Sequence, residues 1–213
     1  MRKLLDIEGP VIGFLEKGGQ LIVLSVLWLV CCLPVVTIGA ASTAAYYAAA
    51  KSIRHKTGKL HSEFFRSFRA NLRQSIPLTL LVLFLIAVLS VECLYFYSDP
   101  RVPAGVLYLF AAMLLVVSAL ACYLWACLSR FSLSGFRLFR ISLVLTFRHF
   151  LTTILLLALL CGCLAGIYLM PWGILVFPGL ALLLSTYPME RILLKYSPRV
   201  SEDDPEAQKW YYQ

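Results

Sequence analysis

Charge is what this chain has least of, and its gaps are long. No Asp, Glu, Lys or Arg occurs from Gly18 to Ala50, from Gln74 to Val91, from Val102 to Ser129, or from Phe150 to Met189. Charged residues are 14 % of the sequence, apolar residues 61 %, and the mean hydropathy is +0.83. A single water-soluble core of this size cannot enclose so much apolar area, whereas a bilayer asks for only ~20 apolar residues per crossing. The solvent is lipid, and a soluble globular reading is excluded.

Other absences narrow the chemistry. The seven cysteines, Cys31, Cys32, Cys93, Cys122, Cys127, Cys161 and Cys163, include no CxxC pair and stand beside no His, so neither a zinc site nor a complete disulfide framework is expected. They read as small core hydrophobes. Asn71 is the only asparagine and Arg73 follows it at the sequon position, so no glycosylation site exists. His55, His61 and His149 lie in or beside the charged loops, with no evident nucleophile, metal pair or glycine-rich phosphate loop. No catalytic residue, cofactor or metal is assigned. No ionisable group falls near the middle of an apolar run, where a proton relay or coupling ion would need one; Glu92 lies near the outer end of its run and Glu190 at an inner boundary beside Arg191. The first residues mix Arg2, Lys3 and Lys17 with Asp6, Glu8 and Glu16, a poor signal-peptide start, so no cleavage is expected.

The lengths of the runs set the architecture: an all-α polytopic transmembrane bundle of about five spans. A helix over Phe150–Met189 would be ~60 Å long against a ~30 Å hydrocarbon core, so this run crosses twice, at 150–168 and 172–189. Pro171 and Gly173 suit the turn, and Tyr168 and Trp172 suit an aromatic belt. Spans are expected at 76–97 and 104–128, joined by the turn Ser98-Asp99-Pro100-Arg101. The first run is too long for one crossing and too short for two. Pro34 and Gly39 are expected to break it, leaving a span at 20–38 and a small-residue helix at 40–54 that is interfacial or re-entrant.

The loops carry the orientation. Seven Lys and Arg fall in 51–75, four in 129–150 and four in 191–213, against three at the N-terminus plus Arg101 on the other side. The positive-inside rule puts the N-terminus outside and the tail 191–213 in the cytoplasm. Two loop segments are expected as interfacial helices, 60–75 and 130–148. In the first, Phe64, Phe65 and Phe68 share a face with Arg66, Arg69 and Arg73 on the one beside it; in the second, Arg137 and Arg148 alternate with phenylalanines. Such helices dock a cytoplasmic partner or anionic lipid headgroups, or simply anchor the topology by snorkelling. The net charge of +8 does not suggest nucleic acid, because it sits in loops between spans.

The stretch Cys32-Leu33-Pro34-Val35-Val36-Thr37-Ile38-Gly39-Ala40-Ala41-Ser42-Thr43-Ala44-Ala45-Tyr46-Tyr47, followed by Phe64-Phe65-Arg66-Ser67-Phe68-Arg69-Ala70-Asn71-Leu72, resembles the YesL-like family of bacterial integral membrane proteins, a domain of unknown function. The resemblance implies a cell-membrane location and a link to carbohydrate uptake, whose genes often neighbour those of the family; it brings no catalytic residues. The expected role is therefore non-enzymatic, accessory or regulatory to sugar uptake, with a sugar-transporter subunit or a second copy of the chain as partner. The rival is a small transporter built around the broken first helix.

Overall fold

The computed structural model describes residues 2–98, 103–131 and 133–196, with side chains from Lys17 onward. Among these residues it is an all-α bundle: α1 Arg2–Cys32, α2 Ile38–Ala48, α3 Leu60–Ser98, α4 Ala104–Arg130, α5 Gly135–Arg148, α6 Phe150–Leu169 and α7 Phe177–Tyr196. Three of them, α3, α4 and α6, are long and apolar enough to cross a membrane. The apolar stretch Lys17–Cys32 of α1 is shorter. In α7 the apolar run ends at Met189, because Glu190, Arg191 and Lys195 complete the helix. The expected turn around residues 99–101 and the tail from 197 lie outside the described residues.

Helix α1 ends one residue before Leu33, where Pro34 has no N–H to offer the preceding turn. The chain passes through a short 3₁₀ turn, Val35–Thr37, and restarts as α2. Thr37 closes the break: its hydroxyl donates to the carbonyls of Cys31 and Pro34, both at 2.6 Å. Of the two expected breakers, only Pro34 acts as one. Gly39 lies inside α2, where a Cβ would collide with Thr79 Oγ1 and the Trp125 ring, so its role is close packing of α2 against α3 and α4. The span expected over 20–38 is shorter for the same reason.

The segment 40–54 is not interfacial. Ala40, Ala41, Ala44, Ala45, Ala48, Ala49 and Ala50 are all completely buried, and α2 lies in the middle of the bundle with α1, α3 and α4 around it. Within α2 the alanines share one face, where they let neighbouring backbones approach closely, and Ser42, Thr43, Tyr46 and Tyr47 make up the other. Trp28 Nε1 ties α1 to α2 by donating to Ser42 Oγ at 3.1 Å. The Gly179 N–H of α7 donates to the buried Ser25 hydroxyl of α1 at 2.8 Å.

The segments 60–75 and 130–148, alike in sequence, fold differently. Residues 60–75 are the first turns of α3, which runs unbroken into the apolar stretch past Pro77 and is therefore no separate surface helix. Residues 130–148 divide: Arg130 ends α4, and α5 follows as a helix of its own, separated from α6 at His149. Leu138, Ser142, Leu145 and Thr146 of α5 are buried, while Phe136, Arg137, Val144, Phe147 and Arg148 are exposed, the two-faced pattern of a helix lying on a bundle at a membrane surface.

Candidate functional site

The link between α2 and α3 gathers the polar chemistry. Alanines 48–50 carry α2 into a π-helical turn, Ala49–Arg54, whose wider winding brings the His55 N–H to the Ala50 carbonyl at 3.1 Å. This turn carries Lys51 and Arg54 and is followed by His55, and each faces a buried carboxylate on another helix.

Glu190, 1 % exposed, is the centre of the larger cluster. Arg130, at the end of α4 and with its side chain 4 % exposed, donates to Glu190 Oε1. On the other oxygen, His55 Nε2 lies at 3.4 Å and Arg54 Nη1 at 3.8 Å. The same Arg54 Nη1 donates to the Thr186 carbonyl at 2.9 Å, and its guanidinium covers the Tyr187 ring at 4.8 Å. Pro188 has no N–H, so the Leu184 carbonyl one turn earlier loses its helical donor, while the Thr186 carbonyl gains Arg54 as a donor from outside the helix.

The smaller cluster surrounds Glu63, near the start of α3. Lys51 Nζ stands 2.9 Å from Glu63 Oε1, and Arg66 donates to Glu63 Oε2 and, at 2.9 Å, to the Tyr47 hydroxyl. Gly58 makes the approach possible. Its φ of +80° is one that L side chains rarely adopt, and a Cβ there would stand 2.8 Å from Glu63 Oε1. The two clusters therefore pin the single connection 49–58 to α3, α4 and α7. Ion pairs so buried hold geometry firmly while contributing little net stability, since desolvation offsets their attraction.

A third polar group sits between α5 and α6. His149 Nε2 lies 3.3 Å from the Tyr196 hydroxyl, and the Tyr123 hydroxyl is 3.2 Å from Thr153 Oγ1, which itself donates to the Thr146 carbonyl at 2.8 Å. Burial lowers the His149 pKa from its ordinary value, and the nearby charges of Lys195 and Arg148 lower it further.

The sequence-derived docking residues separate into two groups. Phe64 is completely buried in a core with Leu24, Ala45 and Leu60, stacked on Phe68 with ring centroids 6.2 Å apart, and so cannot dock anything. Phe68 is half-buried against the same core. Phe65, Arg66, Arg69, Arg73, Arg137 and Arg148 are exposed. The fold brings the two basic segments together, because Gln74 Nε2 of α3 donates to the Leu133 carbonyl just before α5. Sequence reading assigned nothing to Arg54, His55 or Glu63, placed Arg130 with Arg137 and Arg148 on the basic side of the second interfacial segment, and left Glu190 as a boundary residue. The available signal was scarcity: Glu63, Glu92, Asp99 and Glu190 are the only acids between Lys17 and Arg199, while the loops around them are rich in Lys and Arg. Glu92 is half-buried near the far end of α3. Among the described residues no group of His, Cys, Asp and Glu has the arrangement of a metal site.

Residues 21–93, from α1 through most of α3, match the model of a family described as a protein of unknown function, DUF624. The matched part holds the Pro34 break, the buried α2, the π-helical turn and the Glu63 cluster; Arg130 and Glu190 lie beyond it. No curated protein and no solved structure matches the chain. The likeness is therefore to a family of unknown function, carried on helices suited to a membrane.

Proposed function

We propose that this chain is a multi-pass protein of a bacterial cell membrane with a non-enzymatic role, accessory or regulatory to carbohydrate uptake. In this reading α1 and α7 cross with α3, α4 and α6, the N-terminus lies outside and the C-terminus in the cytoplasm. One observation carries it: early α3 and the start of α5, joined by the Gln74–Leu133 hydrogen bond, both carry exposed arginines, with Phe65, Phe136 and Phe147 exposed among them. Arginine with exposed aromatics, at the rim of an apolar bundle, suits the anionic headgroup layer and a membrane partner seated there. The buried carboxylates support the non-enzymatic reading, since both are engaged by cations that hold the connection 49–58. The link to sugar uptake rests on the family resemblance of residues 32–72.

Affinity capture in a mild, non-ionic detergent from sugar-grown cells tests the role. A transporter subunit is the expected co-purifying protein, and it should be lost when Arg66, Arg69 and Arg73 are replaced by glutamine. Repeated captures without such a subunit, together with unchanged growth of the triple variant on every sugar, would sink the accessory role. The transporter alternative would use the broken first helix, where Leu33 is 79 % and Val35 60 % exposed, and substrate flux from the purified protein in liposomes is the measurement that would favour it.

A further inference from the structure

Positive charge on α5 is left unbalanced by its neighbours. Among the described side chains there are three carboxylates: Glu63 and Glu190 are buried with their own cations, and Glu92 lies near the far end of α3. None of them pairs with an arginine of α5. Arg137, Arg140 and Arg148 are all exposed, and at 3.6 residues per turn they fall within about 80° of the helix circumference. Helix α5 therefore presents a stripe of three guanidinium groups, about 16 Å from first to last at the helical rise.

The sequence places a matching charge nearby. Glu202, Asp203, Asp204 and Glu206 put four acids in five residues, between Arg199 and Lys209, the densest run of acid in the chain. The point from which this segment departs is held against α5. Tyr196, the last described residue of α7, has its hydroxyl 3.3 Å from His149 Nε2 and its ring edge-to-face with the imidazole at 5.9 Å. The Arg148 guanidinium lies 5.6 Å from the centre of the same ring. Glu202 is six residues further along, and six residues reach at most ~20 Å. The whole stripe, which begins at Arg148, is within that reach.

Tethering matters more here than the strength of any one pair. A single exposed ion pair contributes little, but a segment held this close acts at an effective concentration on the order of millimolar, and its charges engage together. We propose that the acidic run 202–206 docks on the arginine stripe of α5 in the same chain and competes there with anionic phospholipid headgroups. Carboxylate and phosphate both offer oxygens to guanidinium, so occupancy by one excludes the other. The pairing needs only the exposed stripe and the departure at Tyr196; the competition rests on the reading of α5 as a headgroup contact.

A zero-length cross-link tests the pairing. In the full-length Arg140→Lys protein, held in a non-ionic detergent, a carbodiimide should join the introduced amine to a carboxylate of 202–206. The product should be of monomer size, with the linked peptides identified by mass spectrometry. Its yield should fall several-fold between about 0.1 M and about 1 M salt, as the screening length shrinks from ~10 Å to ~3 Å. Arg69→Lys on α3, treated alike, should give several-fold less. The competition is read from phosphatidylglycerol retained by protein extracted from vesicles of mixed phosphatidylcholine and phosphatidylglycerol. Replacing Glu202 and Glu206 with glutamine and Asp203 and Asp204 with asparagine should tighten retention about 3- to 10-fold, the worth of two or three exposed ion pairs. That gain should vanish when Arg137, Arg140 and Arg148 are glutamine.

Absence of the linked product at low salt overturns the proposal, as does an equal yield from Arg69→Lys. A product of dimer size alone overturns it in favour of a second copy of the chain on the stripe. Unchanged retention in the acid-neutralised protein removes the competition. If the arginine-neutralised protein also retains phosphatidylglycerol as the parent does, it is the headgroup reading of α5 that fails, and a monomer-sized cross-link still establishes the pairing.

Discussion

Removing one member of a buried ion pair strands the other, and the cost is set by how little water can reach it. Arg130 and Glu190, with side chains 4 % and 2 % exposed, are an extreme pair in this molecule. Arg130→Ala should therefore lower stability by about 3–5 kcal/mol, seen as a lower melting temperature and less folded protein in the membrane fraction. Arg66→Ala, whose side chain is 61 % exposed, should cost less than about 1 kcal/mol although it too contacts a carboxylate. Gly39→Ala should cost about 1–3 kcal/mol, because Thr79 and Trp125 occupy the space of the added methyl. His149 has a pKa lowered in the folded chain, so the unfolded chain binds more protons as pH falls below about 6.5. Its contribution opposes folding increasingly as pH drops towards the lowered value, and stability rises with pH through that window. His149→Gln should flatten this part of a melting profile measured between neutral and mildly acidic pH. Periodicity put Phe64, Phe65 and Phe68 on one face, but it could not say that α1 and α2 cover Phe64 and leave Phe65 open.

Elements differ here by what covers them more than by their own pattern. The two basic, phenylalanine-rich segments look alike in sequence, yet one is the start of α3 and the other a separate helix. In the first, the chain continues into apolar residues with no break that Pro77 enforces; in the second, the non-helical backbone at His149, φ −111° and ψ 57°, ends α5 before α6 begins. Helix α5 should carry the lipid contact. Replacing Arg137, Arg140 and Arg148 with glutamine should weaken retention of anionic lipid by about 1 kcal/mol per arginine, measured as anionic lipid retained by the protein on delipidation. Retention equal to the parent would show that the lipid meets the bundle elsewhere. The alanine-rich α2 was legible as a close-packing helix, whereas its depth was not, because small residues fit an interface between helices and a bundle centre equally well.

For the whole molecule, the all-α class followed from the uncharged runs, and three helices are long and apolar enough to cross a membrane. Five crossings and an outside N-terminus require α1 and α7 to span as well, one with the short apolar stretch Lys17–Cys32, the other with charges from Glu190 onward. Reporter fusions to the C-terminus should be active in the cytoplasm and silent outside; the opposite result would reverse the orientation. What the sequence by itself determined is the solvent and the grain of the molecule: a lipid environment, helices, a break at Pro34 and a crowding of Lys and Arg in the loops. These are properties of local composition and backbone chemistry, and they need no neighbour to be expressed. Which charges are buried, and with whom, was decided only by the tertiary structure. Glu190 is 60 residues from Arg130 and 135 from His55, and no local spacing encodes a pairing made by helix packing. The same holds for Tyr46, whose place in a helix the sequence indicates and whose burial, 3 % exposed with no hydrogen-bond partner for its hydroxyl, exists only because other helices pack around it.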